Sequence, residues 1–449
     1  MTLSEKSLNT KQQTAISRLY SEDYTLLVAP TGAGKTVICL TAIKELIDAG
    51  VLNRVIVAAP AKVVENMVWT KERLKWDHLS GMRVLNITGD AKKRGSLLAY
   101  ANTNDYDAIV ISLNNLDWLL EQGHGKGHGC DGIIIDELSK AAGKQTAGMR
   151  SKKKADCFKW RVGMTATPVS QNFEKLYSMC RILSPKYLGT NKQKYLDQYF
   201  YSDYQGYNWT LRDGADELIA AKIAPLVHLV EDTKATDLPP CCEHVITFDM
   251  PAETRVVYND MKKHMIAGDV EAANEAVKSG KLRQIASGFM YDDMGVGDHI
   301  DFARSDEAAK WMRKLKKQGR KGIIFYEFTH SRAELDYCTA HQYGIDVATE
   351  IDVGDFTRAK DHVILLAQIN SLSHGVDGLQ DVCSDILFYH PMWSRDATEQ
   401  AIGRVWRTGQ TKEVNVTTLV CDDTLDELVM DRVEDRGEWM KLFKQHLKG

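Results

Sequence analysis

The feature that most constrains the fold of this chain is a glycine-containing segment that lies between a strand-like apolar stretch and a helix-like pattern. Residues 29–36 read APTGAGKT, after a short apolar stretch and before a helix-like pattern. Gly32 and Gly34 let backbone amides turn towards an anion, because glycine adopts the left-handed backbone that most residues avoid. Lys35 would add a positive charge and Thr36 a hydroxyl group. The order of strand, glycine loop and helix predicts an α/β fold with a phosphate-binding loop.

Short apolar runs recur along the chain and favour parallel sheets. They are rich in β-branched residues and almost continuously hydrophobic, which is typical of strands that helices cover on both faces. Helix-like segments separate the runs. The predicted strands are residues 25–28, 54–58, 108–112, 132–135, 322–326, 363–366, 385–389 and 414–419. We therefore expect two α/β lobes, each a mainly parallel sheet flanked by helices.

The interval between the two groups of strands predicts the domain boundaries. Residues 231–240 are acidic and end in a Pro-Pro pair, which is typical of a hinge. The chain after the hinge looks mainly helical and leads into a basic, amphipathic stretch. We expect an N-terminal lobe at 1–230, a hinge with a helical connecting region at 231–305, and a C-terminal lobe at 306–449.

The chain as a whole does not have a basic composition. There are 57 Lys and Arg against 61 Asp and Glu, a formal charge of -4, so any nucleic-acid surface must be local. No apolar run approaches the roughly 18 residues of a membrane span. We expect no membrane association and a cytoplasmic protein, in the host cytoplasm if viral, or a nuclear one if eukaryotic. The nine cysteines lack C-x-x-C spacing, which predicts reduced thiols.

An acidic pair directly follows one of the predicted strands. Asp136 could hold magnesium, and Glu137 could orient or deprotonate a water molecule. An acidic pair that caps the next helix is the usual alternative for such a pattern. Its position downstream of a phosphate loop favours the catalytic interpretation.

A second motif, QAIGRVWRTGQ at residues 400–410, lies near the end of the chain. Its arginines, Arg404 and Arg407, could stabilise the charge that develops when a terminal phosphate leaves. We expect Arg407 to be the arginine finger and Arg404 to make a second phosphate contact. Salt-bridging arginines on a helix are the alternative.

Taken in order, these motifs resemble those of the Swi/Snf-type DNA translocases of helicase superfamily two, and the resemblance covers nearly the whole chain. The other segments that carry it are 60–64 (PAKVV) with Trp69, Glu72 and Trp76, then 163–168 (GMTATP), 323–326 (IIFY) and 373–380 (SHGVDGLQ). Residues 400–410 fit the pattern Q-x-x-G-R-x-x-R-x-G-Q closely. The resemblance implies two RecA-like lobes with an ATP site in the cleft between them.

The resemblance also implies a set of ATP and magnesium contacts. Residues 8–12 (LNTKQ) fall where the family carries an adenine-reading glutamine; Gln12 is our choice, with Gln13 as the alternative. An amide both donates to and accepts from adenine. An exposed helix glutamine without this role is the remaining interpretation. The implied nucleotide contacts are Gln12, Thr31, Gly32, Ala33, Gly34, Lys35, Thr36, Gly375, Asp377 and Gln400, with Thr36 and Asp136 holding Mg²⁺.

Nucleic-acid contacts are the next implication. Basic clusters occur at residues 92–94, at residues 150–154 together with Lys159 and Arg161, and at residues 310–321. A solvated face is the usual explanation of one such cluster, but the resemblance favours a DNA groove. Hydroxyl groups hold a phosphate backbone without reading its sequence. By family pattern the backbone contacts are Ser112, Thr165, Thr329 and Ser373.

The expected activity is therefore that of an ATP-dependent translocase on double-stranded DNA, with little strand separation. One departure from the family pattern is Ser139, where a histidine is common, which puts coupling through that position in doubt. A true helicase on forked DNA or RNA is one alternative. The motor component of a repair, replication or restriction assembly is another, and a non-catalytic DNA-binding scaffold is a third.

Overall fold

The computed structural model describes residues 2–30, 32–122, 129–141, 157–168, 173–203, 209–230, 238–267, 270–271, 275–292, 294–337, 347–349, 353–359, 363–369, 378–407 and 409–431. These residues form two compact units, the first containing the part up to 230 and the second the part from 238 to 431. The three-part division at 230 and 305 stays a prediction. Among the described residues, no helix is both long and apolar enough to cross a bilayer.

The first unit contains a seven-stranded sheet. Its strands and those of a small hairpin are β1 (Tyr24–Val28), β2 (Val55–Ala59), β3 (Val84–Ile87), β4 (Ala108–Ser112), β5 (Gly132–Ile135), β6 (Trp160–Thr165), β7 (Phe200–Ser202), β8 (Trp209–Leu211) and β9 (Val227–Leu229). The sheet order is β3-β4-β2-β5-β6-β1-β9, and every pairing in it is parallel. Strands β7 and β8 form the antiparallel hairpin.

Helices cover both faces of this sheet. They are α1 (Thr10–Ser21), α2 (Lys35–Asp48), α3 (Ala61–Glu65), α4 (Val68–Arg73), α5 (Ala91–Thr103), α6 (Leu116–Gln122), α7 (Leu138–Ala141), α8 (Phe173–Leu183), α9 (Lys192–Tyr199) and α10 (Ala215–Ile223). Leu26 and Val28 of β1 belong to one apolar core and Leu27 to the other. Because successive strand residues point to opposite faces, a doubly covered strand is hydrophobic throughout.

The second unit contains a six-stranded sheet. The strands of this unit are β10 (Cys241–Phe248), β11 (Ile266–Ala267), β12 (Val270–Glu271), β13 (Phe289–Tyr291), β14 (Gly297–His299), β15 (Gly322–Tyr326), β16 (Val347–Thr349), β17 (Ile364–Gln368), β18 (Asp385–Phe388) and β19 (Val414–Cys421). The sheet order is β10-β19-β18-β15-β17-β16, again parallel throughout. Two short antiparallel hairpins, β11–β12 and β13–β14, stand apart from it.

Helices of the second unit are α11 (Ala252–His264), α12 (Glu275–Ile285), α13 (Ala303–Lys317), α14 (Thr329–Tyr337), α15 (Val353–Arg358), α16 (Leu379–Val382) and α17 (Arg395–Ile402). Arg304 is 1% exposed at the start of α13 and donates to the carbonyls of Tyr389 at 2.7 Å and Leu419 at 3.1 Å. It also pairs with the buried carboxylate of Asp426. One guanidinium thus ties α13 to the ends of β18 and β19, where unpaired carbonyls would be costly.

The predicted fold class is confirmed: the protein is α/β, with mainly parallel sheets flanked by helices. All eight predicted strands are present, with ends that shift by at most two residues. The region after the hinge contains helices α11 and α12 as expected, but it also contributes β10 to the second sheet. The eight cysteines among the described residues are all free thiols, as predicted.

Candidate nucleotide-binding site

The phosphate loop leaves the carboxyl end of β1 and runs into α2. Gly32 and Gly34 have φ values of 86° and 82°, so both need the backbone freedom of glycine. A Cβ atom on Gly34 would also lie 2.5 Å from the Gln12 side chain. Helix α2 begins at Lys35, and its first amides would therefore point towards a bound anion. The loop has the geometry that its sequence predicts.

The side chain of Lys35 lies over its own loop. Its ammonium group donates to the carbonyl oxygens of Ala29 at 2.8 Å and Pro30 at 3.3 Å. These contacts hold the Lys35 ammonium group against the backbone of the phosphate loop. The next residue, Thr36, is half-buried on the first turn of α2.

The predicted adenine-reading residue is anchored to the phosphate loop. Gln12 and Asn9 form a capping box at the start of α1, in which the Gln12 amide donates to the Asn9 side chain at 2.9 Å. The Gln12 side chain accepts from the Asn9 amide at 3.0 Å and donates to the Ala33 carbonyl at 3.1 Å. The alternative, Gln13, donates instead to the Leu8 carbonyl at 3.1 Å. Gln12 is therefore the glutamine that contacts the loop.

The acidic pair lies at the carboxyl end of β5, two strands from β1 in the sheet. The Asp136 amide donates to the Ala58 carbonyl at 2.8 Å, and the Trp69 indole donates to the Asp136 carboxylate at 3.3 Å. Burial, with a smaller contribution from the neighbouring Glu137 charge, raises the pKa of Asp136 to about 6. The positive charge of Lys35 acts in the opposite direction.

Glu137 has an unusual backbone. Its φ is 61°, in the left-handed region that non-glycine residues seldom occupy. The Ser139 hydroxyl group donates to its carboxylate at 3.1 Å. Ser139 therefore bonds to the candidate general base.

The candidate magnesium ligands fit a hard divalent cation. Asp136 is a buried carboxylate beside a second acid, so a cation there would offset both the burial and the repulsion that raise its pKa. Thr36 offers a hydroxyl oxygen, as Mg²⁺ prefers. In the part of the chain that the structure describes, no group of three His, Cys, Asp or Glu forms a metal cage.

Two candidate nucleic-acid contacts lie on the same edge of the first sheet. Ser112 ends β4, is 8% exposed, and accepts a hydrogen bond from the Asn115 side chain at 2.8 Å. Thr165 ends β6 opposite Val28 of β1 and is fully buried. Its hydroxyl oxygen accepts from the Thr167 amide at 3.1 Å. Thr165 thus shapes the turn beside the phosphate loop, and its contact with nucleic acid stays a prediction.

The arginine motif belongs to the second unit. Gln400 is 5% exposed on α17, and Arg404 and Arg407 follow this helix in a turn. Gln410 closes that turn, because its side chain donates to the carbonyls of Cys383 at 2.9 Å and Val405 at 3.3 Å. This explains the last residue of the motif as a structural one.

The remaining predicted residues have separate positions. Thr329 is exposed at the first residue of α14, after β15. Thr31, Ser373, Gly375 and Asp377 lie outside the described residues. The structure therefore brings Gln12, Lys35, Thr36, Asp136, Glu137, Ser112 and Thr165 to the first unit, and Gln400, Arg404, Arg407 and Thr329 to the second.

Trp69 and the capping residue Asn9 also contact candidate site residues, although the sequence alone did not predict this role for them. The Asn9-x-x-Gln12 spacing is itself a capping-box signature and could have indicated the helix start. The contact between Trp69 and Asp136 joins residues 67 positions apart, and no local pattern predicts it.

Comparisons with known proteins identify the family of this chain. A model of the SNF2-related domain matches residues 12–290. The chain belongs to this family. It is a Swi/Snf-like ATPase of helicase superfamily two, as the motifs predicted.

Individual relatives are distant in sequence. Putative protein p41 of Acyrthosiphon pisum secondary endosymbiont phage 1 is 26% identical, over 94% of each chain. The CHD3-type chromatin-remodeling factor CHR7 of Arabidopsis thaliana is 23% identical over 94% of this chain, which spans 36% of that protein. An uncharacterized ATP-dependent helicase of Mycoplasma genitalium, MG018, is 22% identical over 93% of this chain and 40% of its own length. The SNF2-related ATPase thus spans well under half of these two larger relatives.

A solved structure, the Sulfolobus solfataricus SWI2/SNF2 ATPase core in complex with dsDNA, is also similar. It is 19% identical, with a TM-score of 0.44, over 97% of this chain and 92% of that one.

Proposed function

We propose that this SNF2-related ATPase moves along double-stranded DNA by hydrolysing ATP, with little separation of the strands. The observation that carries the proposal is the shared edge of the first sheet, where the phosphate loop follows β1 and the acidic pair follows β5, with only β6 between these two strands. Parallel strands have their carboxyl ends at the same edge of a sheet, and a nucleotide bound there would contact both motifs. Family membership supports the ATPase, and the duplex preference rests on the motif resemblance.

The proposed nucleotide-binding residues would contact different parts of the Mg²⁺·ATP complex. The amides at the start of α2 and the Lys35 ammonium would bind the phosphates, and Gln12 would read the adenine ring. Thr36 and Asp136 would hold Mg²⁺, which supplies neutralisation of phosphate charge when it is bound. In the second sheet's unit, Gln400, Gly375 and Asp377 would add contacts to the nucleotide.

The hydrolytic step requires a base and an opposing positive charge. Glu137 would take a proton from the attacking water, and the hydrogen bond from Ser139 would hold its carboxylate in place. Arg407 and Arg404 would stabilise the charge that develops on the terminal phosphate, an effect worth about 10³- to 10⁵-fold in other phosphoryl-transfer enzymes. Because these arginines and Lys35 lie on different units, turnover would require the two units to act together.

Movement along DNA would follow from this requirement. If ATP binding closes the two units and product release opens them, each unit grips the backbone in alternation. Ser112 and Thr165 would contribute backbone contacts from the first unit, and Thr329 and Ser373 from the second. Such contacts bind DNA without reading bases.

The test compares ATP turnover with duplex DNA, single-stranded DNA and RNA, together with triplex displacement and strand unwinding. We expect duplex DNA to stimulate turnover most, with triplex displacement and little unwinding. Stimulation by RNA alone, or efficient unwinding of a fork, would overturn the translocase in favour of a helicase. Glu137→Gln serves as the inactive control in each assay.

A further inference from the structure

The buried indole of Trp69 lies beside the candidate magnesium ligand. Trp69 is 1% exposed, in the apolar core under α2 and α4. Its ring nitrogen donates to Asp136 at 3.3 Å. A buried indole N–H needs an acceptor, and here the acceptor is a carboxylate of the site rather than a nearby backbone carbonyl.

The backbone that carries Trp69 is fixed on several sides. Helix α4 begins after Met67, which has a φ of 55°. Within α4, Thr70 donates to the Asn86 side chain of β3 at 2.9 Å, and Arg73 donates to the Met82 carbonyl at 2.7 Å. The direction of the indole N–H is therefore set by the fold.

The carboxylate of Asp136 is fixed only in part by its own backbone. Its amide is bonded to Ala58, which holds the main chain against β2. The side chain beyond it is buried, and it feels both the negative charge of Glu137 and the positive charge of Lys35. A donor on one carboxylate oxygen would keep the group from turning towards Lys35.

We infer that Trp69 is a positioning residue for magnesium: its indole N–H orients the Asp136 carboxylate towards the cation bound with the nucleotide. The inference rests on the proposed function, because it assumes the Mg²⁺·ATP site at Asp136. Trp69 does not touch the nucleotide or the reacting atoms. Its effect reaches the metal through one hydrogen bond.

The test uses a matched pair of substitutions in the full chain. Trp69→Phe removes the donor and keeps most of the ring. Trp76→Phe removes the same atoms from a second buried indole, which donates instead to the Glu72 side chain at 3.0 Å. The readout is the affinity for ADP, measured by calorimetry with excess Mg²⁺ and again with EDTA.

We expect Mg²⁺ to tighten ADP binding in the wild type and in Trp76→Phe. In Trp69→Phe this gain should fall about 10- to 100-fold, the usual cost of losing a partner of a metal ligand, while the affinity in EDTA stays the same. An unchanged gain in Trp69→Phe would overturn the inference. A wild type that shows no Mg²⁺ effect at all would instead count against the proposed site.

A double-mutant cycle tests whether the effect passes through Asp136. Asp136→Asn alone should remove most of the magnesium gain, and adding Trp69→Phe should cause no further loss. Independent losses that add would contradict the inference, because Trp69 would then act by another route.

A second measurement covers the case in which Trp69→Phe does not fold. In wild-type protein with ¹⁵N-labelled tryptophan, Asp136→Asn identifies the indole resonance that senses this carboxylate. The same resonance should shift when Mg²⁺ is added to the ADP complex. If it stays in place, the inference is wrong.

Discussion

Glu137 combines two features that are rare together, a left-handed backbone and a side chain held by a neighbouring hydroxyl group. Such a backbone costs on the order of 1–3 kcal/mol and persists only where the surroundings enforce it. We expect Glu137→Gln to leave ATP binding nearly unchanged, since the side chain keeps its size. Turnover should fall about 10²- to 10⁴-fold, because an amide cannot take the proton.

Steady-state ATPase assays and calorimetric ATP binding check this prediction. Glu65→Gln is the matched control, because Glu65 is exposed on α3 and lies outside the acidic motif. A Glu137→Gln protein that hydrolyses ATP at the wild-type rate would show that another residue is the base.

The two adjacent glutamines of α1 make a residue-scale test of nucleobase recognition. Gln12 bonds to the phosphate loop at Ala33, whereas Gln13 bonds to the Leu8 carbonyl outside the loop. Loss of one net hydrogen bond costs about 0.5–1.5 kcal/mol, or about 2- to 12-fold in affinity. Gln12→Ala should raise the KM for ATP by this factor and reduce the preference for ATP over GTP.

Gln13→Ala is the built-in control and should keep both properties. The measurement is KM for ATP and GTP in the presence of duplex DNA. If Gln13→Ala alone lost the preference, the alternative assignment made from the sequence would be right.

Single residues of the site were predictable to different degrees. The phosphate loop and the acidic pair are local patterns, so Lys35 and Asp136 could be placed from sequence order. The partner of Asp136 could not, because Trp69 approaches it only after β5 pairs beside β2 and α4 packs against α2. Contacts that the fold creates carry no spacing signal.

At the scale of elements, Glu334 joins α14 to α13 and to the end of β18. It accepts hydrogen bonds from Ser305 at 3.1 Å and Tyr389 at 3.4 Å. Burial raises its pKa to about 8, and the nearby Asp301 charge adds to this, while Arg304 and both hydrogen bonds act against it. His299 lies 3.8 Å away and has a lowered pKa because of its own burial.

The sign of the resulting pH dependence follows from proton uptake. The folded state keeps the Glu334 proton up to about pH 8, whereas the unfolded chain releases it near pH 4.5. Stability should therefore fall as pH rises through this window, by up to about 1.4 kcal/mol per pH unit from this group. Glu334→Gln cannot ionise and should lose this slope, so it gains on the wild type between pH 5 and pH 8.

Urea denaturation at a series of pH values measures the slope. Glu413→Gln, at an exposed position before β19, should keep the wild-type slope. Equal slopes in wild type and Glu334→Gln would mean that Glu334 is already ionised in the folded protein at pH 5.

The strands differ in how well their sequences predict them. Central strands such as β5 and β15 are covered on both faces, and their unbroken apolar runs predict them well. Strand β10 lies at the edge of its sheet and is only partly buried, so its residues CCEHVITF show no such run. Strand β6 carries the buried Arg161, whose guanidinium donates to the Leu183 carbonyl at 3.1 Å. A charged residue within a strand interrupts the apolar pattern, so the sequence did not predict β6.

For the molecule as a whole, the sequence predicts two parallel α/β bodies, and the structure has them as two units with separate cores. Each core could be anticipated from its own strands. The relation between the motifs of the two units could not be anticipated in this way, because neither local patterns nor the separate cores define it.

Two substitutions in the full chain, one in each unit, test whether Lys35 and Arg407 act on the same ATP. Lys35→Ala should lose ATP binding, and Arg407→Ala should keep binding but lose about 10³- to 10⁵-fold in turnover. Arg358→Ala, at an exposed ion pair with Asp355, should behave like the wild type. ATP binding and hydrolysis are measured for each variant with duplex DNA.

Mixing Lys35→Ala with Arg407→Ala protein then tests whether one chain supplies both the lysine and the arginine that act on one ATP. If Lys35 and Arg407 act on the same ATP within one chain, the mixture should stay as inactive as its components at any ratio. If the halves came from different chains, about a quarter of the sites in an equal mixture would combine an intact Lys35 with an intact Arg407, and hydrolysis would rise with total protein concentration. An inactive mixture would therefore support the proposal that Lys35 and Arg407 of one chain act on the same ATP. Activity in the mixture would instead show that the active ATPase is an assembly of several chains.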